Sequence, residues 1–294
     1  MASFSRWKCV SDASWPYRRF RGHHTQLNSF YWSHWAADHL TRRHARSEEP
    51  TVETAAHFGL SGNDDARRPP RTLAEWETTQ REAGNWLRLN AALAMASYLE
   101  LYLRQVSTLA LLSDPSIMLG GNRLLDGIAV LKHSQQQPAI EPFVAGVTRG
   151  DWAARLVRYK GLFGPVPTEL ESHRADLHDL QTLRNRVGHE FGRDSHPGDL
   201  SWLGGILTPS ERLSEDRLKK WLGVIEVVGR AIDRHLVSKH IGAFECLLLY
   251  HRERTREGRP ISANELRKRA AQEAGGPVAG TEYFREVIAA YDRA

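Results

Sequence analysis

The 294 residues carry 40 Lys and Arg against 35 Asp and Glu, for a formal charge of +5, with 41% hydrophobic residues and a mean hydropathy of −0.49. This is a globular composition with length enough for a sizeable core. No stretch approaches the roughly 18 apolar residues of a membrane span. The opening MASFSRWKCV has no apolar h-region, so no secretory signal is expected. Cys9 and Cys246 are too few for a disulfide framework or a zinc cage, and a cytoplasmic protein is expected.

In chain order, residues 1–74 read as a basic, aromatic N-terminal extension. RWKCV and PYRRFRGHH show no clean period. A helix is expected from about Asn28 to Ala45, then a loop rich in Pro, Gly and acidic residues. The strongest helical signal opens at Thr72, which forms a capping box with Glu75. Trp86, Leu89, Leu93, Ala96, Leu99, Leu103 and Val106 follow at helical spacing, and Asp114–Pro115 ends the run. Shorter helices are expected within Asn122–His133 and over Asp151–Phe163. A further helix opens with a second capping box, Thr168 and Glu171, and carries a stripe of Leu170, Leu177, Leu180, Leu183 and Val187. A loop follows. A long helix is then expected from about Ser214 to Arg254, bent at Gly229 or Gly242, and two short helices close the chain around Ala263–Glu273 and Glu282–Ala290. Almost nothing alternates with a strand's period. The expected class is therefore all-α, a helical bundle over residues 75–254 with a helical tail over 255–294.

Chemistry concentrates in LQTLRNRVGHEFGRD, residues 180–194. Arginine followed five positions later by histidine occurs four times, at Arg18/His23, Arg19/His24, Arg184/His189 and Arg230/His235. With 14 histidines, about one or two such pairs arise by chance. Arg184 alone is followed by an amide, Asn185, at the end of an apolar-striped helix. At about 100° per residue, Asn185 and His189 share a face and Arg184 lies about 140° from His189, a gap a long side chain closes. The three can converge on one phosphate. Arginine grips nonbridging oxygens in a fork, histidine moves protons near neutrality, and the amide orients either one.

RNRVGH resembles the signature of the HEPN superfamily: Arg, then Asn, Asp or His, then three residues, then His. AALAMASYLELYLRQV resembles the first long HEPN helix, which often carries a glutamate at the place of Glu100. LSEDRLKKWLGVIEVVGRAIDRHL resembles the final one, so the likeness spans residues 75–254. Many HEPN proteins are metal-independent ribonucleases of prokaryotic defence and toxin systems, built as helical bundles that dimerise around one cleft. The resemblance implies catalytic roles for Arg184 and His189 and a supporting one for Asn185, with Glu100 and Arg186 as further candidates. It implies RNA as substrate, a homodimer, and neither metal nor other cofactor. An antitoxin or regulatory protein is a further partner of such systems. HEPN toxins paired with a nucleotidyltransferase antitoxin commonly carry a modified Tyr two residues after the histidine. Phe191 stands there, which excludes adenylylation at that position. Some HEPN domains are inactive, so a non-catalytic interaction or RNA-binding module is the alternative, and a helical scaffold with a coincidental motif the third reading.

Other candidates are weaker. His34, His39 and His44 are five apart and share no metal-binding face, and neither do His173 and His178. Trp7, Trp15, Tyr31, Trp32 and Trp35, interleaved with arginine, can stack on bases, but packing an extension onto its own core is the commoner use. Glu100 has an equally plain role as partner of an arginine.

Overall fold

The computed structural model describes residues 4–8, 13–120, 125–133, 138–188 and 210–294. The chain is all-α, as expected: every regular element among the described residues is helical, beside one isolated antiparallel bridge between Glu53 and Thr72. The helices are α1 (Trp15–Ala45), α2 (Thr54–His57), α3 (Leu73–Ser113), α4 (Gly127–His133), α5 (Glu141–Thr148), α6 (Trp152–Phe163), α7 (Thr168–Ser172), α8 (Arg174–Gly188), α9 (Glu215–Leu236), α10 (Phe244–Glu257), α11 (Ala263–Glu273) and α12 (Thr281–Arg293).

The compact units are not consecutive segments of the chain. One comprises Met1–His23, Ser97–Asp179 and Gly223–Ala294, the other His24–Ala96 and Leu180–Leu222. Both therefore draw on parts of α1, α3, α8 and α9.

In the first unit, α1 begins at Trp15, well before the expected start. Ser14 caps it by accepting from the Tyr17 N–H at 3.2 Å. The Ser14 N–H donates to Asp233 at 3.0 Å, its hydroxyl also donates to Asp233, and the Trp15 N–H donates to Glu245 at 2.7 Å. The orphan amides of a buried helix start thus meet two carboxyl groups as acceptors. Tyr17 and Phe20 are buried next to this cap, and Phe20 stacks on Tyr102 with centroids 5.0 Å apart. Gly229 leaves room for that ring: a Cβ there would lie 2.7 Å from Phe20 Cε1. Elsewhere in this unit α5 packs on α6, and α10 packs on α4, α11 and α12.

The single long helix expected to Arg254 is two. α9 loosens into a π-turn, Val237–Ile241, and turns at Gly242, whose φ is +55°. The cause lies far off in sequence. Arg6 donates to the carbonyls of Ile241 (2.9 Å) and Ser113 (2.8 Å) and pairs with Asp126 at 3.1 Å. The Arg6 carbonyl in turn accepts from the Ala243 N–H at 2.8 Å. A Cβ on Gly242 would lie 2.4 Å from that carbonyl oxygen, so only glycine fits.

In the second unit, Thr72 and Glu75 form the expected capping box: the Glu75 N–H donates to Thr72 Oγ1 at 3.3 Å and the Thr72 N–H to Glu75 Oε2 at 3.2 Å. The segment before it is anchored rather than a plain loop. Ala45, Leu73 and Trp76 form a buried cluster with Val52 and Phe58 packed on it, and the Leu73 N–H donates to the Val52 carbonyl at 3.0 Å. Of the apolar positions expected at helical spacing in α3, Leu89, Ala96, Leu99, Leu103 and Val106 are buried, while Trp86 is 52% exposed.

Candidate functional site

α8 carries the motif, and its start differs from expectation. Thr168 and Glu171 form no capping box: α7 is a separate turn that begins after Pro167 without a side-chain cap, and the helix is interrupted at His173. From Arg174 onward the apolar stripe behaves as its spacing predicts. Leu177, Leu180, Leu183 and Val187 are all at most 3% exposed. That burial fixes the rotation of the helix and hence the directions of the polar residues between them.

Arg184 is half-buried, while Asn185 and Arg186 are exposed. Arg184 Nη1 donates to Asn185 Oδ1 at 3.2 Å, so the amide oxygen orients the guanidinium and the amide NH₂ points elsewhere. Arg186 turns to a different partner, Glu211, at 2.9 Å. Glu211 belongs to a short stretch held by α3. Buried Asn85 donates to the Glu211 carbonyl at 2.7 Å and accepts from the Leu213 N–H at 2.9 Å, and Arg88 donates to the Leu213 carbonyl at 2.6 Å. Arg186 is thus a tether between the end of α8 and residues 210–213, whereas Arg184 and Asn185 form a donor-rich pair. Gly188 is the last residue of α8, and a Cβ there would meet no atom within 4 Å. His189, and Phe191 after it, lie outside the described residues.

Glu100 belongs to the other unit. It pairs with Arg155 at 3.4 Å, and Arg155, 4% exposed, also donates to the Gly150 carbonyl at 2.9 Å and lies 4.9 Å from the Trp152 ring. A buried guanidinium requires such a partner, which gives Glu100 the structural role weighed for it from the sequence.

Arg230 and His235, which share the five-residue spacing of Arg184 and His189, do not form such a site. Arg230 is exposed and pairs with Glu226 at 2.6 Å. His235 is half-buried, with Nδ1 2.7 Å from Tyr159 Oη, and burial pushes its pKa down to about 4. Such a neutral, packed imidazole belongs to the core. His240 beside it pairs with Asp114 at 3.0 Å.

Two concavities among the described residues are lined by no motif residue. One, of about 460 Å³, is lined by Arg19, Arg252, Arg256 and Arg269 around the buried carboxylate of Glu253. Burial would raise Glu253, and Arg252 and Arg269 hold it below its ordinary value instead. With Glu257, Glu265 and Glu273 also paired to these arginines, the cluster is charge-balanced and reads as a structural network. The other lies on α1. Among the described residues, no three His, Cys, Asp or Glu side chains gather as a metal-ligand set, and no helix is long and apolar enough to cross a membrane.

The Ser14–Asp233–Glu245 cluster escaped the sequence reading. A signal existed: Ser14 followed by Pro16 is a helix-start pattern. Its carboxylate partners, more than two hundred residues on, had none. No family model, curated protein or solved structure matches this chain.

Proposed function

We propose that the protein is a metal-independent endoribonuclease of HEPN type, acting in a prokaryotic cytoplasm in a defence or toxin system. The RNA 2′-oxygen attacks the adjacent phosphorus and the 5′-oxygen of the next nucleotide leaves, giving a 2′,3′-cyclic phosphate and a 5′-hydroxyl. His189 moves the protons, Arg184 holds the phosphoryl oxygens as charge develops, and Asn185 orients that guanidinium. A single histidine cannot be base for the nucleophile and acid for the leaving group at one instant, so a two-fold dimer supplies the second from its partner.

The observation that carries this reading is the Arg184–Asn185 pair. The two motif residues hydrogen-bond to each other on the last turn of a helix whose opposite stripe is fully buried, and both remain accessible. Arg186, next along the chain, pairs with Glu211. The test is incubation of purified protein with total RNA in EDTA, wild type beside His189→Ala and Arg184→Ala. Wild type is expected to cut, and each variant to lose roughly 10²–10⁴-fold in rate. Arg230→Ala, an exposed site on α9, is the control expected to cut normally. Cutting by His189→Ala at the wild-type rate defeats the mechanism, and RNA bound but left intact by the wild type favours the non-catalytic module.

A further inference from the structure

Most aromatic residues interleaved with basic ones in α1 are consumed by packing. Tyr31 is buried, and Trp32 lies edge-on to it at 4.9 Å with Lys219 Nζ 5.3 Å from its ring. The exceptions are Phe30, 66% exposed, and Trp35, 42% exposed. The Trp35 indole lies almost parallel to the exposed imidazole of His39, with centroids 5.4 Å apart and planes 14° apart. One turn further stands Arg43, also exposed. Residues 35, 39 and 43 follow the i, i+4 rule, so three planar groups succeed one another along one stripe.

Arg42 and Arg46 fall on the same side, and with Asp38 these residues line an open concavity of about 400 Å³. That volume lies in the range of small ligand pockets. The side chains are held in place. Arg42 pairs with Asp38 at 2.9 Å, Arg46 with Glu77 at 3.2 Å, and the Trp35 indole N–H donates to Glu215 at 2.9 Å. Arg43 forms no ion pair among the described residues. A fixed aromatic pair beside an uncommitted guanidinium is therefore presented to solvent, and Asp38 is the only acidic residue in the helix.

We propose that this stripe is a track for single-stranded RNA. A base stacks on the Trp35–His39 pair, and the phosphates after it run along Arg43 toward Arg42 and Arg46. Stacking surfaces joined to cations are the chemistry that holds single strands without sequence preference, whereas bases inside a duplex cannot reach an indole. The choice of RNA over DNA rests on the endoribonuclease reading, because a reaction through the 2′-oxygen requires RNA.

The test is fluorescence anisotropy with the full chain and a fluorescein-labelled 12-nucleotide single-stranded RNA of mixed sequence, over a series of KCl concentrations. Trp35→Ala is expected to bind about 5- to 100-fold more weakly, the loss of one stacked base, and Trp35→Phe to recover most of it. Arg43→Ala is expected to lower the slope of log K against log salt by about 0.7, one single-strand phosphate. Arg285→Ala, an exposed arginine of α12, is expected to change nothing. Circular dichroism melts check that each variant folds. Wild-type affinity in both Trp35→Ala and Arg43→Ala overturns the proposal, as does equal weakening toward a duplex of the same sequence or no RNA binding by the wild type. Capture of poly-glutamate that RNA cannot displace assigns the stripe to an acidic protein partner and also overturns it. Cleavage assays on the same RNA separate the two readings. Variants that cut with unchanged KM defeat the track and leave the ribonuclease standing. RNA held through the stripe by a wild type that does not cut defeats the ribonuclease and leaves the track.

Discussion

Burial pushes the carboxyl of Glu245 up to about 8, with neighbouring Asp233 adding to the rise and the Trp15 amide opposing it. Asp233 is raised for the same first reason, with Ser14 and Tyr102 working against it. At neutral pH, Glu245 is therefore protonated in the folded chain and ionised in the unfolded one, whose ordinary value is 4.5. A folded pKa above the unfolded one contributes stability that is complete below pH 4.5 and is lost as pH rises through about 8. Urea unfolding between pH 5 and 9 should show stability falling with pH by a few kcal/mol at most, roughly. Glu245→Gln keeps the acceptor for Trp15 and cannot ionise, so its stability should vary less over that window. An equally steep decline in the variant would show that another group governs it. At the motif, the same scale separates two neighbours: Arg184 is oriented by the amide oxygen of Asn185, whereas Arg186 pairs with the carboxylate of Glu211.

Among the elements, α1 depends most on partners distant in sequence. Its start rests on Ser14, which caps the Tyr17 amide and donates to Asp233. Ser14→Ala removes the cap and takes a donor from a carboxylate only 1% exposed. A loss of about 1–2 kcal/mol is expected in chemical denaturation. A variant as stable as the wild type would mean that water replaces the hydroxyl and that the cap is dispensable. α8 depends on its own period: Leu180, Leu183 and Val187 settle its rotation, and the polar positions between them follow. α9 and α10 are separated by a contact from Arg6, a residue on no helix at all.

At the scale of the whole molecule, the proposed chemistry asks for two copies. A dimer is expected by light scattering at micromolar concentration, with specific cleavage activity falling once dilution drives it to monomer. A monomeric mass with activity unchanged on dilution would require both proton transfers from one chain. In that case a second titratable group in the same molecule would have to be sought beside His189.

The helical class was legible from the sequence because its signals are local. The caps of α3 and α6 lie within four residues of the groups they satisfy, Thr72 with Glu75 and Asp151 with the Ala154 amide. The apolar stripe of α8 repeats every three or four residues, so the motif's place at that helix's end could be read as well. The same reasoning failed where a local pattern had no local partner: Trp86 kept the helical spacing yet lies exposed, and Thr168 and Glu171 matched a capping box that does not form. Tertiary structure alone decided that Ser14 meets Asp233 across 219 positions, that Arg186 meets Glu211 and Arg155 meets Glu100, and that Gly242 rather than Gly229 ends α9. Periodicity and capping are short-range properties of the backbone. A charged or amide side chain leaving water instead takes whichever complementary group the packed core brings to it, and no spacing along the chain records that choice.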